Sequence, residues 1–190
     1  MRKFVISLER RKDRRESLSV PFKVEFFNAV DGKLTYPDQS IRMQGIYGCY
    51  DSHKKLLESL LNDSNDFFLI LEDDAVVNND FEIIFNESIG TLPKDWDMIY
   101  LGGWETGPQV KYNNFFDYAN KVYTTHSYIV RKKFIPTILK KLNERKWKVD
   151  VLYSEVLKDG KCFMYNPKLS HQKEGFSDIE NKVTNNTHLL

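Results

Sequence analysis

The sequence lacks the features that mark disulfide-rich, zinc-finger and membrane-spanning proteins. Its 190 residues include two cysteines, Cys49 and Cys162, and no Cys-x-x-Cys pair, so neither a disulfide framework nor a zinc finger is indicated. We expect two reduced, buried thiols. No apolar stretch approaches the roughly 20 residues that a helix needs to cross a bilayer, so no transmembrane segment is predicted.

Neither sign of charge is in excess. The 28 basic and 27 acidic residues give a formal net charge of +1, which does not favour a nucleic-acid partner. The apolar run near the start of the chain ends at Glu9 and is too short for the core of a signal peptide. We therefore expect a cytoplasmic protein that binds no nucleic acid.

The composition is that of a globular protein, with 41% hydrophobic and 14% aromatic residues. Strand-like and helix-like segments alternate along the chain, which predicts a single α/β domain. We expect this domain to span residues 1–180 and to be followed by a flexible polar tail at residues 181–190.

Hydrophobic periodicity and turn residues predict the individual elements. Strands are predicted at residues 4–8, 23–29, 67–71, 97–101, 122–130 and 162–165. Helices are predicted at residues 9–18, 46–61, 81–89, 131–145 and 151–157. Residues 33–44 are predicted to form a polar loop, and residues 102–120 a long loop of the kind that often carries function.

Three adjacent carboxylates, Glu72, Asp73 and Asp74, follow the apolar run at residues 67–71. Such a run favours a strand buried on both faces in a parallel sheet, and ligands of open α/β sheets bind beyond the carboxyl ends of the strands. Three acids there repel one another unless a cation lies among them. Oxygen ligands suit Mn²⁺ or Mg²⁺, which can hold a diphosphate, so a cation site is predicted. The alternative interpretation is a solvated turn.

Two further segments follow the predicted strands nearest the N-terminus. Arg11 and Arg14 belong to a basic run after residues 4–8 and could grip phosphate oxygens, although a solvated helix face is the alternative. Asp31 and Gly32 follow residues 23–29. The aspartate could bind ribose or a uracil-like base while the glycine lets the ligand approach, or the pair could be an ordinary turn.

Two histidines and one aspartate carry open alternatives. His53 on the predicted helix 46–61 is typical of a structural residue. His171, after the last predicted strand, could complete a metal site or lie on the surface. Asp150 could cap the helix at residues 151–157 or act as a general base.

In order and spacing, these segments resemble glycosyltransferase family 25, which includes bacterial lipooligosaccharide galactosyltransferases and collagen hydroxylysine galactosyltransferases. The resemblance implies a GT-A fold, Rossmann-like, with a mostly parallel central sheet flanked by helices. It also implies a UDP-sugar donor, a divalent cation, usually Mn²⁺, and inversion at the anomeric carbon. The matching blocks cover nearly the whole chain, at residues 5–15, 29–32, 48–53, 72–74, 96–102, 149–150 and 170–178.

The resemblance also implies roles for individual residues. Glu72, Asp74 and His171 would be metal ligands, and Asp150 would be the catalytic base, with Glu155 in reserve. Trp104 could stack on a sugar ring or anchor the core. The residues implied to bind the nucleotide sugar are Leu8, Arg11, Arg14, Val30, Asp31, Gly32, His53, Asp73 and Trp104.

The expected reaction moves galactose or glucose from a UDP-sugar to the hydroxyl of a glycan or of hydroxylysine in a collagen-like protein. The chain departs from the family pattern at Ser7, where Asn is usual, and at residues 125–127, which replace small residues. The other functions left open are a catalytically silent nucleotide-sugar or glycan-binding module and a metal-dependent nucleotidyltransferase. The sequence gives no indication of oligomeric state.

Overall fold

The chain is described at residues 1–177 and 182–184 in a computed structural model. The strands of this part are β1 (Arg2–Ser7), β2 (Glu25–Asn28), β3 (Phe67–Glu72), β4 (Ala75–Val77), β5 (Met98–Tyr100), β6 (Trp104–Glu105), β7 (Val110–Lys111), β8 (Phe116–Tyr118), β9 (Val122–Tyr123), β10 (Ser127–Arg131), β11 (Cys162–Tyr165), β12 (Ser170–Gln172), β13 (Gly175–Ser177) and β14 (Lys182–Thr184). The α-helices are α1 (Lys12–Glu16), α2 (Gly32–Thr35), α3 (Ile41–Leu60), α4 (Phe81–Ser88), α5 (Ile135–Glu144) and α6 (Val149–Val156). Short 3₁₀ helices lie at Ile89–Thr91, Lys132–Phe134 and Leu157–Asp159.

A central sheet of 8 strands has the order β2-β1-β3-β10-β5-β11-β8-β7. Within it, β10 and β8 run opposite to the other strands. The predicted α/β architecture with a mostly parallel central sheet flanked by helices is therefore confirmed. Because β2, β1 and β3 are parallel neighbours, their carboxyl ends meet at one edge of the sheet.

Strand β3 is buried on both faces, as predicted. Phe68 and Ile70 join the hydrophobic cluster that includes side chains of α3, α5 and α6. Leu69 and Leu71 join the cluster on the other face, which includes side chains of α4. This division follows from the alternation of side chains along a strand, and it holds β3 rigidly between two cores.

The prediction of a polar loop at residues 33–44 was wrong, because two capping side chains start helices there. Asp31 accepts a hydrogen bond from the Lys33 amide at 3.0 Å at the start of α2. Ser40 Oγ accepts one from the Met43 amide at 3.4 Å, and α3 begins at Ile41 rather than at residue 46. These capping side chains accept hydrogen bonds from the first backbone amides of each helix, which have no partner within the helix.

The prediction of a continuous loop at residues 102–120 was also wrong. This segment contains β6, β7 and β8, and β8 extends the central sheet by pairing with β11. The strands are two or three residues long, which is too short for an alternating pattern to show in the sequence.

Three predicted boundaries also need correction. Helix α1 begins at Lys12, so Arg11 precedes it. The strand predicted at residues 122–130 is interrupted between β9 and β10. Asp150 lies in the first turn of α6, and Lys148 occupies the N-cap position.

Most of the tail predicted at residues 181–190 lies outside the described residues. In the part that the structure describes, no helix has the length and apolar character needed to cross a bilayer.

Helices α2 and α3 approach each other so closely that only glycine fits at two contact positions. A Cβ atom at Gly32 would lie 1.8 Å from the Gln44 carbonyl oxygen. A Cβ atom at Gly48 would lie 2.8 Å from the Val30 carbonyl oxygen. Ser52 strengthens the contact, since its Oγ accepts a hydrogen bond from the Val30 amide at 2.8 Å. The two glycines therefore set the position of α3 against the segment after β2.

We predict that Gly48→Ala destabilises the protein by about 1–3 kcal/mol through overpacking, despite the better helix propensity of alanine. Urea unfolding followed by circular dichroism measures the change. Gly90→Ala is the matched control, because a Cβ atom there meets nothing within 4 Å. An unchanged or higher unfolding midpoint for Gly48→Ala would contradict the close approach.

Candidate functional site

A cleft lies at the sheet edge where β1, β2 and β3 end. Its wall is formed by the residues that directly follow these strands and by the facing side of α3. The predicted site residues that line it are Leu8, Arg14, Val30, Asp31, Gly32, His53, Glu72 and Asp73. The structure therefore brings together residues that are far apart in the sequence, as the topology of the parallel strands requires.

Asp73 is held by the segments that follow β1. Ser7 Oγ donates a hydrogen bond to Asp73 Oδ2 at 2.9 Å, and Arg14 Nη1 lies 2.5 Å from Asp73 Oδ1. Ser7, which stands where the family usually has Asn, therefore has a defined contact with Asp73. These bonds fix the direction of the turn between β3 and β4.

Asp74 is the least compensated carboxylate of the three. Its Oδ1 atom is buried without a hydrogen-bond partner among the described residues, and its Oδ2 atom lies 3.8 Å from Arg14 Nη1. Burial, followed by the charges of Glu72 and Asp73, raises the pKa of Asp74 to about 7. An oxygen with no partner and an excess of negative charge are what a divalent cation would satisfy, so this corner fits the predicted metal.

Glu72 is oriented by two side chains behind it. Thr125 Oγ1 donates a hydrogen bond to Glu72 Oε1 at 2.6 Å, and His53 Nε2 lies 3.2 Å from the same oxygen. Burial alone would raise the pKa of Glu72, but His53 and Thr125 lower it overall. The other ring nitrogen of His53 lies 3.0 Å from the Tyr128 hydroxyl. With only 1% of its surface exposed, His53 stands at the inner wall of the cleft behind Glu72.

Cys49 contributes a thiol that the sequence interpretation did not place in the site. Cys162 is buried as expected, whereas Cys49 is half-buried and lines the cleft. Ligand atoms of Cys49, His53 and Glu72 all lie within 4.8 Å of one another. The sequence feature that could have indicated this grouping is the four-residue spacing of Cys49 and His53, which places both side chains on one face of a helix.

The end of the cleft near β2 is organised by Asp31. Arg10 Nε lies 2.6 Å from Asp31 Oδ2, while the other oxygen of Asp31 caps α2. Arg10 was not among the predicted contacts. Arg11 was, but it forms an ion pair with Asp13 at 2.8 Å and is not part of the cleft wall. Arg11 occupies the N-cap position of α1, and its carbonyl accepts a hydrogen bond from the Arg14 amide at 3.1 Å.

Asp150 reaches the same region from α6. Burial raises the pKa of the Cys49 thiol well above its ordinary value, and the charges of Glu72, Asp150 and Asp74 raise it further. Asp150 Oδ1 accepts a hydrogen bond from the Val151 amide at 2.8 Å, and the Thr124 amide also binds this carboxylate. Despite both bonds, burial raises the pKa of Asp150.

Thr124 holds an uncommon backbone conformation beside Asp150. Its φ angle is 81°, which costs a β-branched residue about 1–3 kcal/mol. Its hydroxyl lies 3.2 Å from His126 Nδ1. Thr124 lies in the break between β9 and β10, and its backbone amide is the group that contacts the Asp150 carboxylate.

Three predicted site residues lie elsewhere. Glu155 Oε2 lies 2.9 Å from Lys141 Nζ, in a separate cleft along α5 and α6. His171 lies on β12 opposite Val76 and lines another cleft. Trp104 is 51% exposed and packs against Tyr123 with ring centroids 5.9 Å apart.

The chain matches a known family over most of its length. Residues 1–144 match the family model described as glycosyltransferase family 25 (LPS biosynthesis protein). A putative glycosyltransferase of Acanthamoeba polyphaga mimivirus is 29% identical in an alignment 140 residues long that covers 64% of this chain and 43% of that protein. Procollagen galactosyltransferase 2 of Mus musculus is 28% identical in an alignment 125 residues long that covers 52% of this chain and 20% of that protein. The match thus spans less than half the length of these relatives.

A solved structure shares the architecture at low sequence identity. A glycosyltransferase involved in the glycosylation of the major capsid of PBCV-1 superimposes with a TM-score of 0.51 and 13% identity, covering 95% of this chain and 97% of that one. This likeness concerns the fold, and it agrees with the α/β architecture expected of GT-A enzymes. The match of residues 1–144 to the family model shows that the chain belongs to glycosyltransferase family 25.

Proposed function

We propose that this protein is a metal-dependent inverting glycosyltransferase that moves a hexose, galactose or glucose, from a UDP-sugar to an acceptor hydroxyl. The observation that supports this most strongly is the Asp74 carboxylate, which has a buried oxygen without a partner among the described residues. Its pKa of about 7, raised by burial and by Glu72 and Asp73, indicates uncompensated negative charge at the exit of β3. Family membership supports a nucleotide-sugar donor.

Asp74 and Glu72 would hold the cation, since Asp73 is already engaged by Arg14 and Ser7. His171 is the proposed third ligand, since β12 pairs with β4, the strand that directly follows Asp74. When bound, Mn²⁺ or Mg²⁺ stabilises the negative charge that grows on the departing UDP.

The segments after β1 and β2 would bind the nucleotide. The guanidinium groups of Arg10 and Arg14 stand on the cleft wall, where arginine forks suit phosphate oxygens. Asp31 and Gly32 lie where the chain enters α2, and a carboxylate there can accept hydrogen bonds from ribose hydroxyls or from the base. Val30 and Leu8 add apolar wall beside them.

Asp150 is the proposed catalytic base. In an inverting transfer the acceptor oxygen forms a bond to the anomeric carbon, the bond to UDP breaks with its electron pair, and the hydroxyl proton passes to a base on the other face of the sugar. Burial raises the pKa of Asp150 towards the working pH, which strengthens it as a proton acceptor. The two backbone amides that bind it keep its carboxylate oriented.

The acceptor is proposed from the relatives. One of them is named a procollagen galactosyltransferase, which favours hydroxylysine of a collagen-like protein as acceptor and galactose as donor sugar. A glycan hydroxyl is the other proposed acceptor. A screen of UDP-sugars with Mn²⁺, scored for UDP release with and without a hydroxylysine peptide, tests both the donor and the acceptor.

We predict that Asp74→Asn lowers kcat for UDP-sugar turnover by about 100-fold or more, because the cation loses a charged ligand. UDP release measured across a Mn²⁺ titration gives the effect. Asp95→Asn is the matched control, because this exposed residue lies before β5 and loses only a surface ion pair with Lys161. Near-normal turnover of Asp74→Asn would remove Asp74 from the metal site.

We predict that Asp150→Asn retains UDP binding and loses about 10²–10⁴-fold in transfer, since the amide keeps the shape but cannot take the proton. Calorimetry of UDP binding and a transfer assay separate the two effects. Glu155→Gln is the comparison, because Glu155 is ion-paired in another cleft and should transfer normally. If Glu155→Gln loses transfer while Asp150→Asn does not, Glu155 rather than Asp150 is the catalytic base.

A further inference from the structure

Three side chains of different chemistry converge where α3 faces the end of β3. Cys49 and His53 are one helical turn apart on α3, and Glu72 faces them from β3, with ligand atoms within 4.8 Å of one another. We propose that Cys49, His53 and Glu72 form a second cation site, selective for a thiophilic divalent ion such as Zn²⁺. It is distinct in chemistry from the oxygen site at Asp74, because thiolate and imidazole suit Zn²⁺ and carboxylate oxygens suit Mn²⁺ or Mg²⁺.

The spacing fits zinc with little movement. His53 Nε2 and Glu72 Oε1 lie 3.2 Å apart. Around a tetrahedral zinc ion, nitrogen and oxygen ligands with bonds of about 2.0–2.1 Å are separated by about 3.3 Å. The ion can therefore replace the contact between these two atoms, and Cys49 Sγ completes three protein ligands by a small side-chain shift. Binding releases the thiol proton to solvent.

Two of the three ligands, His53 and Glu72, are already oriented by the residues behind them. His53 Nδ1 lies 3.0 Å from the Tyr128 hydroxyl, which lies 3.0 Å from the Tyr153 hydroxyl. Thr125 Oγ1 donates to Glu72. Ligating histidines in zinc sites commonly have such a partner on the second ring nitrogen, which fixes the tautomer and the ring direction.

The site is open on one side. Cys49, His53 and Glu72 all line the cleft, and His53 is the most deeply buried of the three. An ion held by the three side chains would therefore keep a fourth position directed at the cleft, as in zinc sites with three protein ligands.

The consequence for turnover rests on the proposed function. Glu72 would be shared between the two cation sites, so Zn²⁺ at the thiol site withdraws a ligand from Mn²⁺. We expect Zn²⁺ to inhibit sugar transfer in the presence of saturating Mn²⁺, and Cys49→Ser to relieve this inhibition by about tenfold or more in Zn²⁺ concentration.

Cobalt spectroscopy of the full chain tests the site without relying on turnover. We predict that Co²⁺, added under a thiol-free reductant, gives one equivalent of sulfur-to-cobalt charge-transfer absorption in the near ultraviolet, with visible bands of tetrahedral intensity. Cys49→Ser should lose the charge-transfer band. Cys162→Ser is the matched control and should keep it, because Cys162 lies on β11, beside β5, with its side chain in the hydrophobic core. Asp74→Asn should also keep the band while losing Mn²⁺ affinity, which separates the two sites.

A second measurement uses the unaltered chain and does not depend on the folding of any variant. Zn²⁺ should slow alkylation of Cys49 by about tenfold or more in peptide mass spectrometry, because the bound thiolate no longer reacts freely. Absence of the charge-transfer band, its persistence in Cys49→Ser, or equal alkylation of Cys49 with and without Zn²⁺ would each overturn the thiol site. A chain that binds Co²⁺ in this way but transfers no sugar would overturn the proposed function alone.

Discussion

The repulsion among three carboxylates at the end of a buried strand is the constraint around which this structure is organised. Strand β3 is clamped between two hydrophobic cores, so Glu72, Asp73 and Asp74 cannot move apart to lower their mutual repulsion. The three carboxylates differ in their hydrogen-bond and ion-pair partners. Asp73 is neutralised by Arg14, and Glu72 is held by His53 and Thr125. Asp74 keeps a buried oxygen without a partner among the described residues. This unequal compensation leaves negative charge at one defined point, which is where the proposed cation would bind.

The position of α3 decides which side chains face those carboxylates. Gly32 and Gly48 allow α2, α3 and the segment after β2 to touch through their backbones, and Ser52 joins the same segment to α3 by a hydrogen bond. At this separation Cys49 and His53 come within ligand distance of Glu72. The same contact therefore shapes the cleft near β2 and brings the proposed thiol ligands to Glu72.

Several features of the site could be predicted because they are properties of consecutive residues. The buried strand with its terminal acids and the Cys162–Tyr165 strand are confirmed by the structure, whereas Asp31 and Gly32 start α2 rather than forming a turn. Other features depend on boundaries or on partners distant in the sequence. Arg10, rather than Arg11, lines the cleft because α1 starts at Lys12, which a basic run does not reveal. Similarly, the exposed side of Cys49 and the aim of the Thr124 amide at Asp150 result from packing between separate elements.

The sequence by itself determined the fold class, the order of most strands and helices, the family and the acidic end of β3. It could do so because hydrophobic periodicity, capping residues and motif spacing are local and are written along the chain. Only the tertiary structure decided which of the carboxylates is compensated, that His53 stands behind Glu72, and that Glu155 turns away to Lys141. Those outcomes depend on distances between atoms brought together by packing, and side-chain charges interact through space irrespective of their separation in the sequence.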